Sequence, residues 1–170
     1  YMLDKETYYR KKLKTVLLYT FNMVLKTEES FMKATSENND LSVTEIHTLV
    51  AVGRRQPKTM SEIAQELLIN VSTLSISIKK LEAKGFVTRL RAPEDRRIVR
   101  IELTEKGRRA LEEHEIFYYD LVDDVVGDLS EEDKQKYIEL SERLMHYFER
   151  KLSELTSRRG EGGENSGEKV

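Results

Sequence analysis

Between residues 60 and 107 the spacing of apolar residues changes from helical to alternating, and few folds accept the resulting order. Residues 60–67 read as a short helix with Ile63, Ala64 and Leu67 on one face, and Leu68-Ile69-Asn70 reads as a turn. Residues 71–85 read as a second helix whose stripe is Val71, Leu74, Ile78, Leu81 and Gly85. Two strand-like stretches follow, 86–91 and 98–103, on either side of the charged turn Ala92-Pro93-Glu94-Asp95-Arg96-Arg97. In the returning strand Val99, Ile101 and Leu103 alternate with Ile98, Arg100 and Glu102, which predicts one inward face.

Helix, turn, helix and a hairpin with a basic tip is the order of a winged helix-turn-helix unit. The rest of the chain predicts helices on both sides of it. Leu13, Leu17, Phe21 and Val24 lie at helical spacing within 4–31, and a polar loop follows at 36–40. Ser42-Val43-Thr44-Glu45 and Thr59-Met60-Ser61-Glu62 each read as a capping box, the first opening a helix that runs to about Gly53. Thr104 is placed to cap a further helix carrying Leu111, Tyr118, Leu121, Val122 and Val125. Gly127-Asp128-Leu129-Ser130 breaks it, and Ser130 caps a last helix with the stripe Tyr137, Leu140, Leu144, Phe148, Leu152 and Leu155. The expected fold is mainly α with a small β-hairpin wing. Its divisions are an N-terminal dimerisation helix (1–35), the winged unit (41–106), C-terminal dimerisation helices (107–155) and a disordered Gly/Glu/Ser-rich tail (156–170). These terminal stripes leave more apolar face than the small middle unit can cover, which points to a homodimer.

The net charge of −2 hides an asymmetry. Residues 54–109 hold 14 basic and 7 acidic residues, whereas 110–155 hold 5 basic and 14 acidic. The positive block coincides with the winged unit, as expected of a reader of double-stranded DNA carried on a separate scaffold. Opposite the stripe of the second motif helix lie Ser72, Thr73, Ile76, Lys79 and Lys80, with Ser75 and Ser77 on the flanks. No carboxylate occurs from Val71 to Leu81, although a merely solvated face normally mixes Glu with Lys. Small hydroxyls permit close approach to a major groove, Ile76 offers apolar contact to a thymine methyl, and the lysines neutralise phosphates. Arg96 and Arg97 at the hairpin tip suit a narrow minor groove, with Asp95 orienting an arginine.

The stretch Asp95-Arg96-Arg97-Ile98-Val99-Arg100-Ile101-Glu102-Leu103-Thr104-Glu105-Lys106-Gly107 resembles the D-x-R-x5-L-T-x-x-G signature of the MarR family of bacterial transcriptional regulators. Leu81-Glu82-Ala83-Lys84-Gly85-Phe86-Val87 is similar to that family's link between recognition helix and wing. The resemblance implies an obligate homodimer joined through its terminal helices and a DNA affinity tuned by a ligand. Arg97 matches the wing arginine of the signature, and Asp95 the acid that braces it. Glu45-Ile46-His47-Thr48-Leu49 and Asp95-Arg96-Arg97-Ile98-Val99 further resemble the FabT-type repressors of fatty-acid synthesis in Gram-positive bacteria. That subgroup uses acyl chains on acyl carrier protein as corepressor. A fatty-acyl ligand is therefore expected, and no other cofactor, with Leu17, Phe21, Val24 and the surroundings of His47 as its lining.

The alternative within the class is a zinc-responsive regulator, with His47, Glu113 and His114 as candidate ligands and Glu45 nearby. With no cysteine and no His-x3-His, the sequence itself does not favour it over packed, hydrogen-bonded histidines. An enzyme is not expected: there is no Gly-rich phosphate loop, nucleophile–base constellation or H-E-x-x-H. A winged helix serving only protein contacts would not need the Arg96-Arg97 tip. The absence of a long apolar run and of a leader pattern predicts a cytoplasmic protein with no membrane partner.

Overall fold

The computed structural model describes residues 4–35, 40–91 and 98–161, the side chains of 157–161 excepted. Its elements are α1 (Lys5–Ala34), α2 (Val43–Val52), β1 (Lys58–Thr59), α3 (Met60–Glu66), α4 (Val71–Ala83), β2 (Val87–Arg91), β3 (Val99–Leu103), α5 (Glu105–Val126) and α6 (Glu131–Glu161). They fall into two compact units, Tyr1–Asp120 and Leu121–Val170. The mainly helical fold with a small antiparallel sheet agrees with the winged-helix expectation.

Each helix begins where a side chain accepts an orphan amide. The Asp4 carboxylate accepts from the amides of Glu6 (2.9 Å) and Thr7 (3.0 Å) at the start of α1. Both predicted capping boxes are closed: Ser42 with Glu45 on α2, and Thr59 with Glu62 on α3. Asn70 accepts from the amide of Thr73 at 2.7 Å and opens α4. Thr104 Oγ1 accepts from the Gly107 amide at 3.1 Å, and Ser130 Oγ from the Asp133 amide at 3.2 Å, opening α5 and α6. Gly53 (φ 73°) follows α2 and Gly85 (φ 79°) follows α4, both in the left-handed region that glycine enters without strain.

The core of the first unit is built from one face of each element. Ile46, Leu49 and Val52 of α2, Ile63 of α3, and Leu74, Ile78 and Leu81 of α4 close around Phe86, Ile101, Leu103 and Ala110. Each such aliphatic side chain contributes roughly 1.5–3 kcal/mol by leaving water. The strands run in the order β1-β3-β2, all antiparallel, with Val87 opposite Leu103 and Arg91 opposite Val99. Gly107 lets the first turn of α5 lie on the end of α4's exit: a Cβ there would collide with the Phe86 carbonyl. Thr104 reinforces this joint, its amide donating to the Phe86 carbonyl at 3.0 Å and its hydroxyl to the Gly85 carbonyl at 2.6 Å.

Three local expectations change. Val71 is 44% exposed, because it starts α4 beyond the reach of the core. Strand β1, where Lys58 and Thr59 pair with Ile101 and Arg100, has no strand-like composition of its own. The last helix also continues over 156–161, which the sequence assigned to a disordered tail. Extending an existing helix gains a hydrogen bond per residue without a new nucleation cost, and no proline opposes it there. The turn 92–97 and tail residues 162–170 lie outside the described residues. Among the described residues, no helix is long and apolar enough to cross a membrane.

Candidate nucleic-acid interface

The helix-turn-helix is set by the short turn after α3. The Ile69 amide donates to the Ala64 carbonyl at 3.0 Å, and Leu68 takes φ 55°, unusual for a branched side chain. This turn directs α4 so that Leu74, Ile78 and Leu81 are buried while Ser72, Thr73, Ile76, Lys79 and Lys80 are exposed. Ile76 is 61% exposed, at the middle of a face without a carboxylate.

The two flanking serines are half-buried. The Thr48 hydroxyl donates to the Thr44 carbonyl at 2.8 Å, so the 3.2 Å contact between Ser77 and Thr48 is a bond donated by Ser77. Ser77 thus joins α4 to α2, a tethering role that the helical wheel does not reveal.

Lys84 fixes the other end of α4. Its Nζ donates to the Asp40 carbonyl at 2.6 Å and to the two carboxylate oxygens of Glu45 at 3.0 and 2.9 Å. Burial pushes the Glu45 carboxyl up, but hydrogen bonds from the Ser42 amide and Lys84, with the Lys84 charge, bring it below its ordinary value. The cation is therefore spent on aligning α4 with α2 rather than left for a phosphate. Arg89 of β2 pairs with Glu82 of α4 at 2.9 Å, holding the hairpin base against the helix. The strands lead into the turn bearing Asp95, Arg96 and Arg97, which itself lies outside the described residues.

Comparison with known proteins settles the class. Residues 41–99 match the MarR family model, spanning α2 to the start of β3. The transcriptional regulator SarZ of Staphylococcus haemolyticus is 30% identical over 106 residues, 62% of this chain and 69% of SarZ. The chain belongs to the MarR family. TcaR of Staphylococcus aureus, another transcriptional regulator, is 35% identical over 96 residues, 54% of this chain and 62% of TcaR. Streptococcus pneumoniae FabT, solved in complex with DNA, superposes with a TM-score of 0.77 at 30% identity, covering 82% of this chain and 97% of FabT. As a MarR-family protein this chain is a DNA-binding transcriptional regulator, and its relatives are regulators rather than enzymes.

The residues named for an effector are spread along two helices of this MarR-family chain. Leu17 and Phe21 are exposed on α1, Val24 is half-buried, and His47 is turned towards another partner. That partner is Glu28, a residue the sequence reading passed over. His47 Nε2 lies 2.8 Å from Glu28 Oε1, and His114 Nε2 of α5 lies 2.7 Å from the same oxygen. Glu28 is fully buried, and among the described residues no group reaches its Oε2 in good hydrogen-bonding geometry. Tyr118 stacks edge-on against His114, with ring centres 5.0 Å apart, and its phenol is pushed up by burial, then by the Glu28 charge and by its hydrogen bond to Glu28. The carboxylate gathered with the two histidines is thus Glu28 and not Glu113, while Glu45 is engaged by Ser42 and Lys84. The stripe Leu13, Leu17, Phe21, Val24 carries a signal for the burial of Glu28, which stands four residues further along that apolar row, but none for its histidine partners.

Proposed function

We propose that this MarR-family chain acts in the cytoplasm as a homodimeric, ligand-responsive repressor of near-palindromic operators. The exposed, carboxylate-free face of α4 carries the reading. Ser72, Thr73, Ser75, Ile76, Lys79 and Lys80 supply the major-groove contacts, with Ser77 holding the helix in place. Arg96 and Arg97, oriented by Asp95, supply minor-groove contacts from the wing. A two-fold axis then sets the two recognition helices about one helical turn of DNA apart.

Apolar rows left exposed in the single chain support the dimer. Leu13, Leu17 and Phe21 of α1, and Tyr137, Leu140, Phe148 and Leu155 of α6, all remain exposed. Such a density of large apolar groups is what a subunit interface covers. The proposed effector is a fatty-acyl chain delivered on acyl carrier protein, acting as corepressor by favouring the DNA-bound spacing of the dimer. Likeness to pneumococcal FabT and the apolar residues Leu17, Phe21 and Val24 support this choice.

Fluorescence anisotropy on DNA selected from a random pool tests both parts. The expected result is tighter operator binding with long-chain acyl-acyl carrier protein than with the unacylated carrier. Equal affinity with the two carriers refutes the corepressor, and no enrichment of any sequence refutes the repressor.

A further inference from the structure

We infer that Glu28, His47 and His114 form a binding site for a single borderline divalent cation, of which Zn2+ is the best match. The site joins three elements, with Glu28 from α1, His47 from α2 and His114 from α5. One donor atom from each residue lies within 4.8 Å of the other two. A tetrahedral ion with bonds of about 2.0–2.1 Å spaces its donors roughly 3.3 Å apart. The O···N distances of 2.8 and 2.7 Å therefore need to open by only about half an ångström, a side-chain adjustment.

The electrostatics favour a cation. A fully buried carboxylate is costly unless its charge is matched and both oxygens are satisfied. Here both imidazoles converge on Oε1 with the Tyr118 phenol beside the carboxylate, and among the described residues no group reaches the equally buried Oε2 in good hydrogen-bonding geometry. A divalent ion between the three groups places positive charge directly against the buried carboxylate. It also replaces two hydrogen bonds crowded onto one oxygen with three coordinate bonds. Each neutral imidazole then binds through Nε2 and carries its proton on Nδ1.

Chemistry narrows the ion. Two imidazole nitrogens and one carboxylate suit Zn2+, Co2+ or Ni2+, whereas Mg2+ and Ca2+ demand oxygen donors. The His47 side chain is 42% exposed, against 6% for His114 and none for Glu28, so the ion enters past His47. A water completes the coordination. Because the site ties α1 and α5 to α2, which is itself tethered to α4 through Thr48 and Ser77, occupancy bears on how the reading helix is held.

The test uses the full chain, stripped with a chelator, equilibrated with Zn2+ and desalted, with metal counted by plasma mass spectrometry. About one Zn2+ per chain is expected, with Co2+ giving the intense visible bands of four-coordination. His47→Ala and Glu28→Gln are each expected to weaken binding by at least tenfold, the range seen when supporting groups of a site are lost. Glu28→Gln risks the fold, so circular dichroism is run beside it, and His47→Ala, at a half-exposed position, decides if it unfolds. A stripped chain that takes up no Zn2+, or a His47→Ala chain that takes it up as tightly as wild type, overturns the site. The readout needs neither DNA nor an acyl chain, so its failure is separable from failure of the proposed effector.

Discussion

Lys84, at the C-cap of α4, and Glu45, in the first turn of α2, form an ion pair with Nζ 2.9 Å from Oε2. The pair locks the end of α4 to the capping box of its neighbour. Its orientation is reinforced by the Lys84 bond to the Asp40 carbonyl, so the end of α4 and the segment that opens α2, distant in sequence, meet at one ammonium group.

Lys84→Met removes that group while keeping most of the stem. The loss is about 1–2 kcal/mol at neutral pH, as for a charged hydrogen bond shared with solvent. Glu45 has a lowered native pKa, so its contribution is complete above the ordinary glutamate value of about 4.3 and is lost as the pH falls through the native value. Urea denaturation at neutral pH and below about pH 4 checks this. The gap between wild type and variant narrows on acidification.

Ile76 and Ser77 are adjacent yet separate cleanly in effect. Ile76→Ala leaves stability within about 0.5 kcal/mol, since the side chain is mostly in water. On operator DNA it costs about 1 kcal/mol and relaxes base preference at one position. Ser77→Ala loses the bond to Thr48 and costs about 0.5–1.5 kcal/mol of folding stability. Paired denaturation and anisotropy measurements distinguish the two.

Much of this was legible beforehand because it is encoded locally. Both capping boxes, the Leu74, Ile78 and Leu81 stripe, the stop at Gly85 and the alternation ending in Ile101 and Leu103 follow from spacing within a few residues. Strand β1 was not legible, because its two residues become a strand only by meeting the free edge of β3. Glu28 was missed for the same kind of reason. Nothing near it in sequence shows that helices 19 and 86 residues away will each present a histidine to it.

Gly107→Ala tests the joint between wing and α5. The added methyl meets the Phe86 backbone carbonyl, which has no flexible end to yield. A loss of about 1–3 kcal/mol is expected, read as a lower denaturation midpoint.

Leu140→Glu tests the terminal helices. The side chain is 63% exposed in the single chain, so the substitution leaves the fold of one subunit intact. Burying its charge at a subunit interface is costly. Sedimentation equilibrium is expected to show a halved mass at micromolar concentration, with helicity retained.

The central claim is that two copies of this chain read DNA with α4. Selection from a random duplex pool, followed by native mass spectrometry of the enriched complex, tests it most directly. The account predicts a near-palindrome with half-sites about 10 base pairs apart and two chains on each duplex. A pool that shows no enriched sequence, or a complex carrying one chain, would contradict it.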